Sequence, residues 1–176
     1  GTEGTYRLNP VFVKTSELFV SISTGHYHTC GLLSNGSAMC WGDNLGEIGD
    51  GTNTQRNNPV FVNTSESFVS ISAGYYHTCG LLSNGSSMCW GSNNNGQIGD
   101  GSTTQRNNPV FVNTSELFVS ISTGYYHTCG LLSNGSSMCW GYNNNGQIGD
   151  GTEDTNRLNP VFVNTSESFV SISAGY

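Results

Sequence analysis

The chain repeats itself, and this constrains its fold more than any other feature. HTCGLLSNGSAMCWG at 28–42 returns as HTCGLLSNGSSMCWG at 77–91 and again at 127–141. A second block, NPVFV followed by FVSIS, occurs four times, with its proline at Pro10, Pro59, Pro109 and Pro160. Near-identical tandem copies are stacked supersecondary units that share their core with neighbours. The prolines are 49, 50 and 51 residues apart. The length changes fall in GDNLGEIGDG against GSNNNGQIGDG, and in GSTTQRNNP against GTEDTNRLNP. Length change is cheap in loops, so these segments are loops.

Each copy carries four short runs of strand character. PVFV opens with proline and suits an edge or outer strand. FVSIS alternates, with Val69 and Ile71 on one face and Phe68, Ser70 and Ser72 on the other. YHTCGLL and SMCWG flank Ser-Asn-Gly-Ser, a strong hairpin signal. In this order the tight hairpin joins the third and fourth strands. No segment has helical periodicity, and glycine interrupts every window of helix length. The expected fold is all-β, a β-propeller-type array of four-stranded antiparallel blades.

The string VSISAGYYHTCGLLSNGSSMCWGSNNNGQIGDGS at 69–102 resembles the regulator-of-chromosome-condensation repeat. The marks are S-x-G-x-x-H-T, a small-residue hairpin, W-G-x-N-x-x-G-Q-I-G-x-G and a later proline. The resemblance covers essentially the whole chain and implies propeller blades, seven being usual in that family. It does not imply chromatin binding or nucleotide exchange, because the founding member's loops and basic segments have no counterpart here.

The units read as a half repeat at 1–25, then repeats at 26–74, 75–124 and 125–175, the last closing with a copy of the N-terminal half at 151–175. About 3.5 repeats are too few to close a ring, which takes four to eight blades. The expectation is a partial or open propeller, a window on a longer array that could also grow as an open filament. Gly1 opens the chain without an initiator Met, as in a processed product or excised segment.

Charge excludes one class of partner. Five Lys and Arg stand against 12 Asp and Glu, a net charge of -7, so there is no basic stripe for nucleic acid. No stretch approaches the 18 apolar residues of a membrane span.

Six cysteines fall in pairs, Cys30/Cys40, Cys79/Cys89 and Cys129/Cys139, each bracketing the Asn-Gly turn. One disulfide per repeat is the simplest reading. A zinc site with His28 is the competitor, but the spacing is wrong and only three ligands are present. Asn-x-Ser sequons lie at Asn63, Asn113 and Asn164, and at Asn35, Asn84 and Asn134, where Asn-Gly-Ser also reads as a turn. Cysteine pairs and in-phase sequons point to an extracellular or cell-surface protein.

Catalytic chemistry is hard to find. His28, His77 and His127 recur once per repeat, as packing residues do, whereas a catalytic constellation occurs once. The loop at 92–101 has one Asp per copy, against the several carboxylates that calcium needs. Asp43 and Glu47 add carboxylates in the first copy only. Trp41, Trp90 and Trp140 read as core fillers. No catalytic residue, metal or cofactor is expected.

Two places vary between copies. One takes in Asp43, Ser92 and Tyr142 after Trp-Gly, and the other His26, Tyr76 and Tyr126. Variable aromatic loops on a rigid frame are how a binding surface is built. The leading expectation is a non-enzymatic secreted scaffold, its partners being other copies or adjoining repeats. The alternatives are a propeller that docks or inhibits a partner protein, as the family's β-lactamase inhibitors imply, or one that binds a glycan through loop Tyr and Asn residues.

Overall fold

The computed structural model describes residues 8–175, which fold into three four-stranded antiparallel sheets with no helix among them. The first is β1 (Phe19–Thr24), β2 (His28–Leu33), β3 (Ala38–Gly42) and β4 (Arg56–Phe61). The second is β5 (Phe68–Ala73), β6 (His77–Leu82), β7 (Ser87–Gly91) and β8 (Arg106–Phe111). The third is β9 (Phe118–Thr123), β10 (His127–Leu132), β11 (Ser137–Gly141) and β12 (Arg157–Phe162). Each sheet keeps its strands in chain order. The hairpin therefore joins the second and third strands, not the third and fourth. The loop at 43–55 returns NPVF to pair with AMCWG in its own sheet, Met39 opposite Phe61 and Cys40 opposite Val60. Pro59, Pro109 and Pro160 accordingly sit in edge strands, where a missing N–H is tolerated.

Two outlying copies form no strand. Pro10–Val13 has no AMCWG strand ahead of it in this sequence to pair with, and 169–173 has no HTC strand after it. The latter segment is nevertheless held: Phe169 N–H donates to Gly135 O, just as Phe68 does to Gly36 O and Phe118 to Gly85 O.

The Asn-Gly hairpin is a type I turn with a bulged glycine. Gly36 N–H donates to Leu33 O, Leu33 N–H donates to Ser37 O, and Gly36 has φ +84°. Only Gly takes that φ without strain, and its carbonyl is the one that receives the next sheet's Phe68.

Sheets pack face to face as blades. Cys30, Leu32, Ala38, Cys40, Ile48 and Val62 of the first meet Phe68, Leu82, Met88 and Trp90 of the second. The next junction repeats the pattern with Cys79, Leu81, Cys89, Ile98 and Val112 against Phe118, Leu132, Met138 and Trp140. The inner strands are laced together, Ala73 N–H donating to Ser23 Oγ and Thr123 N–H to Ser72 Oγ. They approach so closely that a Cβ on Gly74 would fall 2.6 Å from Gly124 O. Long loops are pinned by buried amides. Asn44 accepts from the N–H groups of Gly46 and Ile48 while donating to the carbonyls of Thr52 and Thr54. Asp50 closes the same loop on Arg56, as Asp100 does on Arg106 and Asp150 on Arg157.

Candidate functional site

The recurring histidines belong to a latch between blades. His28 Nε2 lies 2.7 Å from Thr78 Oγ1, and that hydroxyl donates to the Glu47 carbonyl at 2.9 Å. A hydroxyl has one proton, so Thr78 accepts from His28 and the imidazole is the Nε2–H tautomer. His77, Thr128 and Gln97 O repeat the arrangement. Burial lowers the His28 pKa to about 4 and that of His77 to about 3, where like charge on His127 and His28 adds to the effect. Nδ1 of both rings is buried without a partner, so a second proton would have nowhere to bond. These groups hold blades together and are poor proton carriers near neutral pH. Trp90 and Trp140 are fully buried and donate to the Glu47 and Gln97 carbonyls, while Trp41 is half-buried against Phe19.

Cys30–Cys40, Cys79–Cys89 and Cys129–Cys139 are disulfides between directly opposed residues, with Cα atoms 4.1 Å apart. No group of three or more His, Cys, Asp or Glu that could hold a metal occurs among the described residues. Among them, too, no helix is long and apolar enough to cross a membrane.

Register divides the residues around each hairpin between two ends of the sheet. Asn35, Asn84 and Asn134 lie at the hairpin end, each Oδ1 accepting from the N–H two residues on. Asn63, Asn113 and Asn164 follow the outer strands and are exposed. Asn63 Nδ2 donates to Asn108 of the next blade and Asn113 Nδ2 to Asn159.

The other end carries rings. His26 stacks on Tyr75 at 3.9 Å and 13°, and Tyr75 meets Tyr125 at 3.9 Å. A second row runs Tyr27, Tyr76, Tyr126, with centroids 6.4 and 6.0 Å apart, and continues to Tyr142 at 6.0 Å. The matching of His26 with Tyr76 and Tyr126 is therefore corrected. Counted from Gly25, Gly74 and Gly124, the equivalents of His26 are Tyr75 and Tyr125, which sequence reasoning passed over. Tyr76 and Tyr126 instead match Tyr27, one residue further on. Hydrogen bonding with Tyr27, burial, and hydrogen bonding with Tyr125 and Tyr76 raise the Tyr75 phenol above its usual range.

The two variable places are physically tied. Asp43 N–H donates to Tyr27 O, Ser92 N–H to Tyr76 O and Tyr142 N–H to Tyr126 O. Leu45, Tyr76, Ser92, Asn94, Gln105 and Tyr126 line one cleft of 280 Å³ drawn from all three blades. Tyr126 and Tyr142 share a second, of 360 Å³, with Asn95 and Asn145. The arrangement presents flat rings and amides rather than an acid–base or nucleophile pair.

These features define an all-β blade protein of propeller type. The family model described as the regulator of chromosome condensation (RCC1) repeat matches 35–81, 84–131 and 134–176, and a second model of that repeat matches 19–45, 68–97 and 118–147. The chain belongs to the regulator of chromosome condensation repeat family. No curated protein matches it. Among solved structures it is similar to human WBSCR16 (20% identity, TM-score 0.79) over 89% of this chain and 42% of that one. It is similar to Prp20p of Saccharomyces cerevisiae, described with its binding properties to Gsp1p and histones (19%, 0.77), over 89% and 42%. It is also similar to the ectodomain of the Physcomitrella patens receptor kinase CR4 (27%, 0.57) over 97% and 36%. The chain thus spans about two fifths of the length of these proteins.

Proposed function

We propose that this chain is part of a secreted, non-enzymatic repeat array whose blades hold up a binding face, with the tyrosine end as that face. The observation that carries the reading is the double row of rings at one end of all three blades, running from His26, Tyr27 and Tyr75 to Tyr126 and Tyr142. Tyrosine gives large, rigid, amphipathic contact area at small entropy cost, as in antibody loops. Latches repeated at each junction supply the rigidity. That same repetition favours a second reading in which the array also serves as a structural filament of adjoining copies.

Three disulfides in a chain of this size support an oxidising, extracellular setting. The likeness to a receptor-kinase ectodomain supports the same setting. Sugars at Asn35, Asn84 and Asn134 would lie at the end away from the rings and leave them open. Asn63, Asn113 and Asn164 would carry theirs on the outer rim.

The test is retention of the labelled, disulfide-bonded chain on extracellular material from its native source. Retention that is lost on replacing Tyr76 and Tyr126 by Asp, and kept on replacing Glu66 at the hairpin end by Arg, supports the reading. Equal retention of all three, or none of any, refutes it.

A further inference from the structure

We propose that the inter-blade clefts at the tyrosine end bind a neutral oligosaccharide, one short stretch of sugar per cleft; this rests on the reading of that end as a binding face. The cleft between Tyr76 and Tyr126 draws on all three blades. Its rings lie 6.0 Å apart at 22°, and Leu45, half exposed, adds an apolar wall. Ser92, Asn94 and Gln105 complete the lining. At 280 Å³ it is just smaller than the usual small-molecule site of about 300 to 1,000 Å³, room for a short stretch of sugar.

The lining selects the ligand class. No Lys, Arg, Asp or Glu contributes to it, and the nearby Arg106 is already engaged by Asp100. A phosphate, an acidic sugar or a charged peptide would find no counter-charge. The Ser92 hydroxyl and the Asn94 amide make no hydrogen bond within the described residues, so their capacity is unspent. An amide offers two donors and an acceptor side by side, which suits adjacent hydroxyls. A tyrosine face carries the negative lobe of its quadrupole, which suits the weakly positive C–H face of a pyranose. An extended peptide adding as a strand needs an open strand edge, whereas this cleft is walled by side chains from loops.

The cleft also repeats. Tyr126 continues to Tyr142 in a second cleft, of 360 Å³, with Asn95 and Asn145 at the third blade. A ligand that is itself a repeat can therefore engage neighbouring clefts in turn. Affinity then rises with ligand length by effective concentration. The changing residue, Ser92 in one cleft and Tyr142 in the other, sets the preference of each.

The experiment is calorimetric titration of the intact, disulfide-bonded chain with neutral oligosaccharides of hexose and of N-acetylhexosamine, in increasing length. The expected result is binding that tightens with length and is unchanged by added salt. Tyr126→Ala should weaken it about tenfold or more, and so should Asn94→Ala, which removes no internal bond and leaves the fold intact. Glu66→Arg should leave it unchanged. Absence of binding to every neutral oligosaccharide, or binding abolished by salt, overturns the inference. The two readings are then separated on extracellular protein stripped of its sugars. Retention that needs Tyr76 and Tyr126 rejects the glycan but keeps the face, and no retention on stripped or unstripped material rejects both.

Discussion

The indole Nε1 of Trp90 donates to the backbone carbonyl of Glu47, 2.8 Å away and 43 residues earlier in the chain. That carbonyl also receives Thr78 Oγ1, which in turn receives His28. Two donors of the second blade thus share one buried carbonyl oxygen of the first, with His28 joined to them through the Thr78 hydroxyl, and the same knot recurs at Gln97.

Thr78→Val removes the group that serves both His28 and Glu47. It should destabilise the protein by about 1–3 kcal/mol, the cost of stranding buried polar atoms. Thr29, its equivalent in the first blade, makes no such bond among the described residues. Thr29→Val should change stability by no more than about 0.5 kcal/mol, as for an ordinary surface substitution. Paired thermal melts check both.

The disulfides are buried, so the native protein should resist thiol reagents and mild reductant. Replacing Cys79 and Cys89 together by Ala should cost about 2–3 kcal/mol, the entropy of a short closed loop. Non-reduced peptide mapping should link Cys30 to Cys40, Cys79 to Cys89 and Cys129 to Cys139. Links between blades would contradict the register.

Acid should loosen the blade junctions before other parts of the molecule. His28 and His77 titrate near 6.5 when unfolded but near 4 and 3 when folded, and His127 shifts the same way. The unfolded chain therefore binds more protons below pH 6.5. Stability from these residues is complete above that pH and is lost as pH falls towards 4 and 3. The slope is about 1.4 kcal/mol per pH unit for each histidine fully involved. Denaturant melts between pH 7 and 4 should show the decline, with Trp90 and Trp140 fluorescence reporting it.

Glu47 works in the opposite sense. Burial raises its carboxyl from 4.5 to about 7, with Oε1 unpartnered, whereas the other two blades place Gln97 and Gln147 there. Its contribution is present below pH 4.5 and lost as pH rises through 7. Glu47→Gln should raise stability by about 1–3 kcal/mol at pH 8 and change little at pH 4.5. A gain that is the same at both pH values would show that ionisation is not the cause.

Strand content was legible because PVFV, FVSIS, HTCGLL and SMCWG recur in phase, and the pairing of Cys30 with Cys40 followed from the hairpin between them. Which sheet takes PVFV was not, since either neighbour along the chain could pair with it. Asp50, Arg56 and the buried Asn44 decide that by folding the 43–55 loop back. The tyrosine face was legible in part. Tyr76, Tyr126, Ser92 and Tyr142 were singled out by their variation, but Tyr75 and Tyr125 were passed over because the match to His26 slipped by one. Counting from the invariant glycine at 25, 74 and 124 corrects it. The inter-blade knots could not be seen in advance, because Glu47 and Gln97 enter them through backbone carbonyls that carry no side-chain signature.

The central proposal is that the ring-bearing end is the face that meets a partner. Tyrosine nitration of the intact chain, mapped residue by residue with and without bound extracellular partner, measures this most directly. The prediction is protection of Tyr76, Tyr126 and Tyr142 in the complex, with sites at the hairpin end, probed by carboxyl labelling of Glu66 and Glu116, unchanged. Equal nitration in both states, with protection at Glu66 and Glu116 instead, would place the binding face at the opposite end and contradict the account.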